Sequence, residues 1–182
     1  MNTAQNQPNN TSGFTLIELL VVLVIMGVMI SLVTFSTGIQ NRERETHQTA
    51  LRLISLMRLA SDEAVLNGKL LGWQLSEQQY QFMQREEGNW QAVPDDRLLK
   101  LNPLPPWLAT ELEVEGRLVE PLVEPAQTAE PEQLPQLFIL PSGEMTAFKL
   151  DLFDKNDPQA VRYRLENNYA DLRILRIDPE DQ

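Results

Sequence analysis

The chain has 182 residues, with 26 acidic against 15 basic side chains and a net charge of −11. That acidity argues against a nucleic-acid-binding surface, which needs an excess of Lys and Arg. The lack of cysteine and the presence of a single histidine, His47, exclude a disulfide framework, a cysteine nucleophile and a His-based metal site.

Residues 1–13 form a short polar leader with no charged side chain. From Phe14 to Phe35 run 22 residues whose polar members are Thr15, Glu18, Ser31 and Thr34. As a helix this stretch spans roughly 33 Å, enough to cross a hydrocarbon core of about 30 Å. A carboxylate inside such a segment costs roughly 2.5–3.5 kcal/mol at its centre and less near its end, so Glu18 calls for a reason. Cleavage after Gly13 supplies one. Phe14 then carries a new α-amine, and Glu18 lies one turn in, near the positive end of the helix dipole. It can pair with that amine or with the amine of a neighbouring copy. The alternative is a Glu tolerated at the membrane interface. The Gly27-x-x-x-Ser31 spacing permits close helix approach in a membrane or a filament.

The stretch GFTLIELLVVLVIMGVMISLV resembles the class III signal of type IV pilins and type II secretion pseudopilins. The resemblance implies that a prepilin peptidase cuts after Gly13 and N-methylates Phe14, and that Glu18 is the family's assembly carboxylate. An ordinary secretory signal is cut after its apolar run rather than before it. Ser12 stands where the family leader usually has Lys or Arg, so a cytoplasmic leader is implied by the resemblance and not by a positive-inside signal.

Beyond the apolar run the helix is expected to continue to about Leu66. Arg42-Glu43-Arg44-Glu45 is a mixed-charge block suited to a helix entering water. Ala50, Leu53, Met57, Ala60 and Ala64 repeat at three and four residues, with Ile54 and Ser61 alongside, and define a core-facing stripe. His47 is expected to be a solvated helix residue, and Asn67-Gly68 reads as the helix stop.

Strand-like periods follow. Residues 70–75 and 80–85 read as a hairpin in which Leu71, Trp73 and Leu75 share one face, as do Tyr80, Phe82 and Gln84. Glu87-Gly88-Asn89 turns the chain into Trp90–Val93, and both tryptophans are expected to pack in the core. Pro103, Pro105 and Pro106 bracket a loop ending at Trp107. Thr110–Val119 alternates as one strand. Residues 120–135 are rich in Pro and Glu and are expected to form a long exposed loop, either an inert linker or a partner contact. Gln136–Leu140 is a short strand. Pro141-Ser142-Gly143-Glu144 is a turn with positive φ at Gly143. Strands at 148–153, 160–165 and 172–177 close the domain, with Arg162, Arg164, Arg173 and Arg176 lining a solvated face. Asp154 and Asp157 invite a calcium reading, but their spacing fits a turn and not an EF-hand loop.

SDEAVLNGKLLGWQLSEQQYQF and FILPSGEMTAFKLDLF are similar to segments of the H-type minor pseudopilins of type II secretion, with FimT- and FimU-like minor pilins of type IV pili as near relatives. No catalytic constellation is visible: there is no phosphate-cradling glycine loop, no nucleophile elbow and no histidine to activate Ser142. The expected fold is α+β, a long N-terminal helix packed on a small antiparallel β-sandwich-like domain. The expected divisions are a leader at 1–13, a transmembrane and filament-core helix at 14–35, its amphipathic continuation at 36–67, and a periplasmic β domain at 68–182. The resemblance implies a structural, non-enzymatic subunit of a hetero-oligomeric pseudopilus, anchored once in the bacterial inner membrane. It also implies the partners: the prepilin peptidase, the major pseudopilin, minor pseudopilins of the I, J and K types, and the inner-membrane assembly platform. No metal, cofactor or nucleic acid is expected. The rival readings are a type IV pilus minor pilin acting in pilus initiation or DNA uptake, and a membrane-anchored periplasmic enzyme or binding protein.

Overall fold

The computed structural model describes residues 15–93, 99, 101–122, 134–157, 159–169 and 171–181, with the backbone alone over 30–40. The chain divides into two compact units, Met1–Gln40 and Asn41–Gln182. One helix, α1 (Leu16–Asn67, 52 residues), contributes to both. In the first unit the described side chains of α1 from Leu16 to Met29 are apolar apart from Glu18, and every large hydrophobic one is at least 41% exposed.

In the second unit the expected stripe is the buried face of α1. Ala50, Leu53, Met57, Ala60 and Ala64 are at most 1% exposed, and Ile54 lies beside them at 5%. The helix stops where the sequence says it should. Gly68 takes φ 59°, and the Lys69 N–H donates back to the Ala64 carbonyl at 3.1 Å, closing a Schellman-type end.

Two five-stranded sheets follow. The first contains β1 (Leu71–Leu75), β2 (Gln79–Glu86), β3 (Asn89–Ala92), β4 (Asn102–Pro103) and β7 (Leu137–Ile139), in the order β3-β2-β1-β7 with β4 also on β2. The second runs β10-β9-β8-β5-β6, from β5 (Leu108–Val114), β6 (Arg117–Val119), β8 (Phe148–Asp154), β9 (Arg162–Asn168) and β10 (Asp171–Ile177). Every strand pair is antiparallel. A single contiguous core joins the helix stripe to Trp73, Tyr80, Phe82, Leu137 and Ile139 of the first sheet and to Leu112, Leu150, Leu152 and Leu165 of the second.

The predicted hairpin pairs in the register Trp73↔Phe82, but all five residues of β1 are buried, because both of its faces are covered. Trp73 packs in the main core. Trp90 belongs to a second small cluster with Met83, against Leu70 and Phe138.

Three expectations need correction. Thr110–Val119 is not one strand: Glu115 (φ 49°) and Gly116 (φ 80°) make a two-residue turn, and Val114 pairs with Arg117. Two successive positive φ values are what a tight hairpin requires, and Glu at the first of them hides the signal. The proline-bracketed loop contributes β4, whose Asn102 pairs with Tyr80. The Pro/Glu-rich loop is anchored at both described ends. Leu122 bridges to Ser76, with Leu122 N–H donating to the Leu75 carbonyl at 3.0 Å, and Pro135 is buried against Gly72. Residues 123–133 of that loop lie outside the described residues.

Candidate functional site

Of the residues singled out in the sequence, Gly13 and Phe14 lie outside the described residues, as does the side chain of Ser31. Glu18 sits in the first turn of α1 and is exposed. Its amide donates to the Thr15 carbonyl at 3.1 Å and to Thr15 Oγ1 at 3.3 Å. Thr15 is therefore the N-cap of α1. The spacing Thr15-x-x-Glu18 carries the capping-box signature, a signal that the charge-based reading of Glu18 passed over.

Gly27 lies nine residues further along the same helix, and a Cβ added there would meet nothing within 4 Å. Among the described residues no helix is long and apolar enough to cross a membrane. The described apolar side chains run from Leu16 to Met29, a rise of about 21 Å at 1.5 Å per residue, short of the roughly 30 Å a span needs.

In the second unit, the mixed-charge block splits by helix face. Arg42 Nη1 donates to Asp154 Oδ2 at 3.0 Å, with its guanidinium 5.8 Å from the Trp107 ring centre. Glu43 accepts from Arg176 Nη2 at 3.3 Å and from the Tyr163 hydroxyl at 3.4 Å. His47, exposed as expected, also stacks on Tyr163 with ring centres 4.8 Å apart. Burial, reinforced by the Glu43 charge, raises the Tyr163 pKa, so the phenol stays a donor. Burial pushes the Asp154 pKa up, but hydrogen bonds from the Asn156 amide and from Arg42 outweigh it and hold the carboxyl below its ordinary value.

The predicted turn at Asp154 and Asp157 is realised through their carboxylates, which accept from the amides of Asn156 (2.9 Å) and Gln159 (3.0 Å). Among the described residues no cluster of His, Asp and Glu is arranged to hold a metal ion.

The arginines of the last hairpin do not share one face. Register places Arg173 opposite Glu166, while Arg176 faces Tyr163 on the helix side. On the outer face Lys149 pairs with Glu113, Arg162 with Glu111 and Arg173 with Glu166. Arg164 makes two bonds, 2.6 and 2.7 Å, to Asp151, which raise its pKa further. A cavity of about 380 Å³ opens among Glu113, Lys149, Glu166 and Arg173, but these charges are already paired with one another. At the Pro-Ser-Gly-Glu turn, Gly143 has φ 87° as expected, and Ser142 Oγ lies 3.4 Å from the Glu144 carboxylate. The turn bonds to itself and to Ser61 of α1, whose hydroxyl donates to the Gly143 carbonyl at 3.1 Å.

Residues 8–34 match the prokaryotic N-terminal methylation motif, and residues 49–168 match the family described as type II transport protein GspH. The type II secretion system protein H of Aeromonas hydrophila is 32% identical over 177 residues, covering 94% of this chain and 97% of that one. Its counterpart in Pseudomonas aeruginosa is 38% identical over 148 residues, covering 79% and 83%. Among solved structures, the minor pseudopilin EpsH from the type 2 secretion system of Vibrio cholerae is similar at a TM-score of 0.57 and 28% identity, covering 72% of this chain and 96% of that one.

Proposed function

The chain belongs to the GspH family of type II transport proteins, and from that premise we propose that it is a structural subunit at or near the tip of a periplasmic pseudopilus, supporting protein export across the outer membrane. Its family role is that of a minor pseudopilin of type II secretion. In this reading the precursor is held once in the inner membrane by the run from Phe14 to Phe35, with the β domain in the periplasm. The prepilin peptidase cuts after Gly13 and methylates Phe14. The apolar helix then leaves lipid for the filament core, among the major pseudopilin and the minor pseudopilins of the I, J and K types, on the assembly platform. Glu18 pairs with the amine of a neighbouring copy, which offsets the cost of burying a carboxylate and sets axial register. Gly27 and Ser31 allow close helix contact.

The observation that carries the proposal is the methylation motif at 8–34 coinciding with a helix start at Leu16 whose large apolar side chains are exposed among the described residues. Mass spectrometry of the N-terminus of the protein purified from membranes tests it. An N-methylated Phe14 is expected, and an intact Met1 would refute processing. Deletion of the gene should abolish type II secretion while leaving pili intact; the opposite pattern would favour the type IV pilin alternative.

A further inference from the structure

Beyond Trp73 one edge of β1 is closed by a side chain where a strand would be expected. As far as Trp73 that edge pairs with β7, Leu71 opposite Ile139 and Trp73 opposite Leu137. Backbone pairing extends to Gln136, whose N–H donates to the Trp73 carbonyl at 3.0 Å. Pro135, the next residue back, has no N–H to offer and packs over Gly72. Leu75 is only 1% exposed, so its N–H and carbonyl on this edge still need partners. The Gln136 side chain supplies both. Its Oε1 accepts from the Leu75 N–H at 2.7 Å, and its Nε2 donates to the Leu75 carbonyl at 2.9 Å. A side-chain amide carries the donor and acceptor that a peptide group carries, so Gln136 stands in for a strand residue. The second lone pair of the Leu75 carbonyl goes to Leu122, whose N–H donates at 3.0 Å and whose own carbonyl accepts from the Glu77 N–H at 3.2 Å. Two points 14 positions apart in the chain therefore meet on one carbonyl oxygen.

We propose that Gln136 is the clasp of a local conformational device: Gln136 and Leu122 close the edge of β1 at Leu75, and they open together while the rest of the domain stays folded. Water couples the two points. Without the Gln136 amide, the Leu75 N–H is a buried donor that must draw in solvent. Water that reaches this N–H also reaches the carbonyl that Leu122 uses. The opening stops at Trp73, because Pro135 is locked over Gly72 and the fully buried Leu137 and Ile139 hold β7 in the core. Closed, the clasp covers the edge. Open, it bares the Leu75 N–H and carbonyl and the Glu77 N–H, the groups through which an unpaired strand edge recruits another strand. The proposal does not depend on the pseudopilin reading.

Amide hydrogen exchange of the full-length protein in detergent, read residue by residue by NMR, tests it. In Gln136→Ala, protection of Leu75, Glu77 and Leu122 should fall about tenfold, while that of Leu71 and Ile139 holds. Gln136→Glu makes the clasp switchable. A protonated carboxyl offers one O–H to the Leu75 carbonyl and one oxygen to its N–H; an ionised one can only accept. Protection of Leu122 relative to Leu71 should therefore stay near the wild-type level at acid pH. It should fall about tenfold as the carboxyl ionises, ordinarily near about pH 4.3. The wild-type chain, with an amide at this position, should show no such step. Leu122 protection at the wild-type level in both variants, or loss of protection at Leu71 and Ile139 in step with Leu122, would overturn the proposal.

Discussion

Gly72 is buried at the centre of the first sheet, where a side chain has no room. A Cβ there would lie 2.6 Å from Pro135 Cβ, closer still to Pro135 Cγ, and 3.0 Å from Trp90 Cζ3. A proline ring cannot swing aside, so Gly72→Ala is expected to destabilise the β domain by about 1–3 kcal/mol. Chemical denaturation of the purified protein measures this, and an unchanged midpoint would show that the Pro135 segment yields freely. Glu18 is a different kind of residue, since among the described residues no hydrogen bond or ion pair holds its carboxylate. Its amide is capped by Thr15, so removing the carboxylate leaves that cap in place. Under the proposed role, Glu18→Ala should be cut and methylated normally yet fail to assemble, because truncating one member of a buried pair costs about 3–5 kcal/mol. Normal secretion together with normal co-purification of other pseudopilins would rule out the register role.

At the scale of the element, α1 shows how much periodicity alone conveys. Its stripe from Ala50 to Ala64 was readable because three- and four-residue spacing is a local property of the helix, and the fold buries those same residues. Met57, fully buried in the main core, is expected to cost about 2–5 kcal/mol as Met57→Ala. Gln48→Ala, on the exposed side, should stay within about 0.5 kcal/mol. Equal urea midpoints for the two variants would contradict the placement of the stripe. The hairpins show the opposite case. Glu87-Gly88 and Glu115-Gly116 form the same kind of turn, with positive φ at both residues. The first was legible because apolar runs flank it. The second was not, because Leu118 beyond it is 81% exposed and continues an alternation that reads as one strand.

At the scale of the whole second unit, Arg42 and Asp154 join residues 112 positions apart in the chain. Because folding holds the Asp154 pKa below its ordinary value, the carboxyl contributes stability that is fully present above its unfolded pKa and lost as pH falls through the folded one. Arg42→Ala removes a hydrogen bond and an opposite charge. The Asp154 pKa should rise, and the acid limb of the stability curve should shift upward in pH. At neutral pH the loss should not exceed about 1 kcal/mol, since Arg42 is 44% exposed. Urea melts across the acid range, with an NMR titration of the Asp154 carboxyl, measure both, and an unmoved titration would break the assigned pairing. The sequence by itself determined the apolar run, the awkward carboxylate at Glu18, the amphipathic stripe, the first hairpin and the acidity, all set by short-range periodicity and composition. The resemblance of its N-terminal stretch and of its PSGE region carried the family. Only the tertiary structure decided which strands share a sheet, such as β7 returning to pair with β1. It alone set Pro135 on Gly72, and it alone paired Arg162, Arg164 and Arg173 with Glu111, Asp151 and Glu166 across the second sheet. Those outcomes depend on contacts between distant segments, where each residue's partner is fixed by the register and packing of the whole domain and leaves no mark in its local sequence.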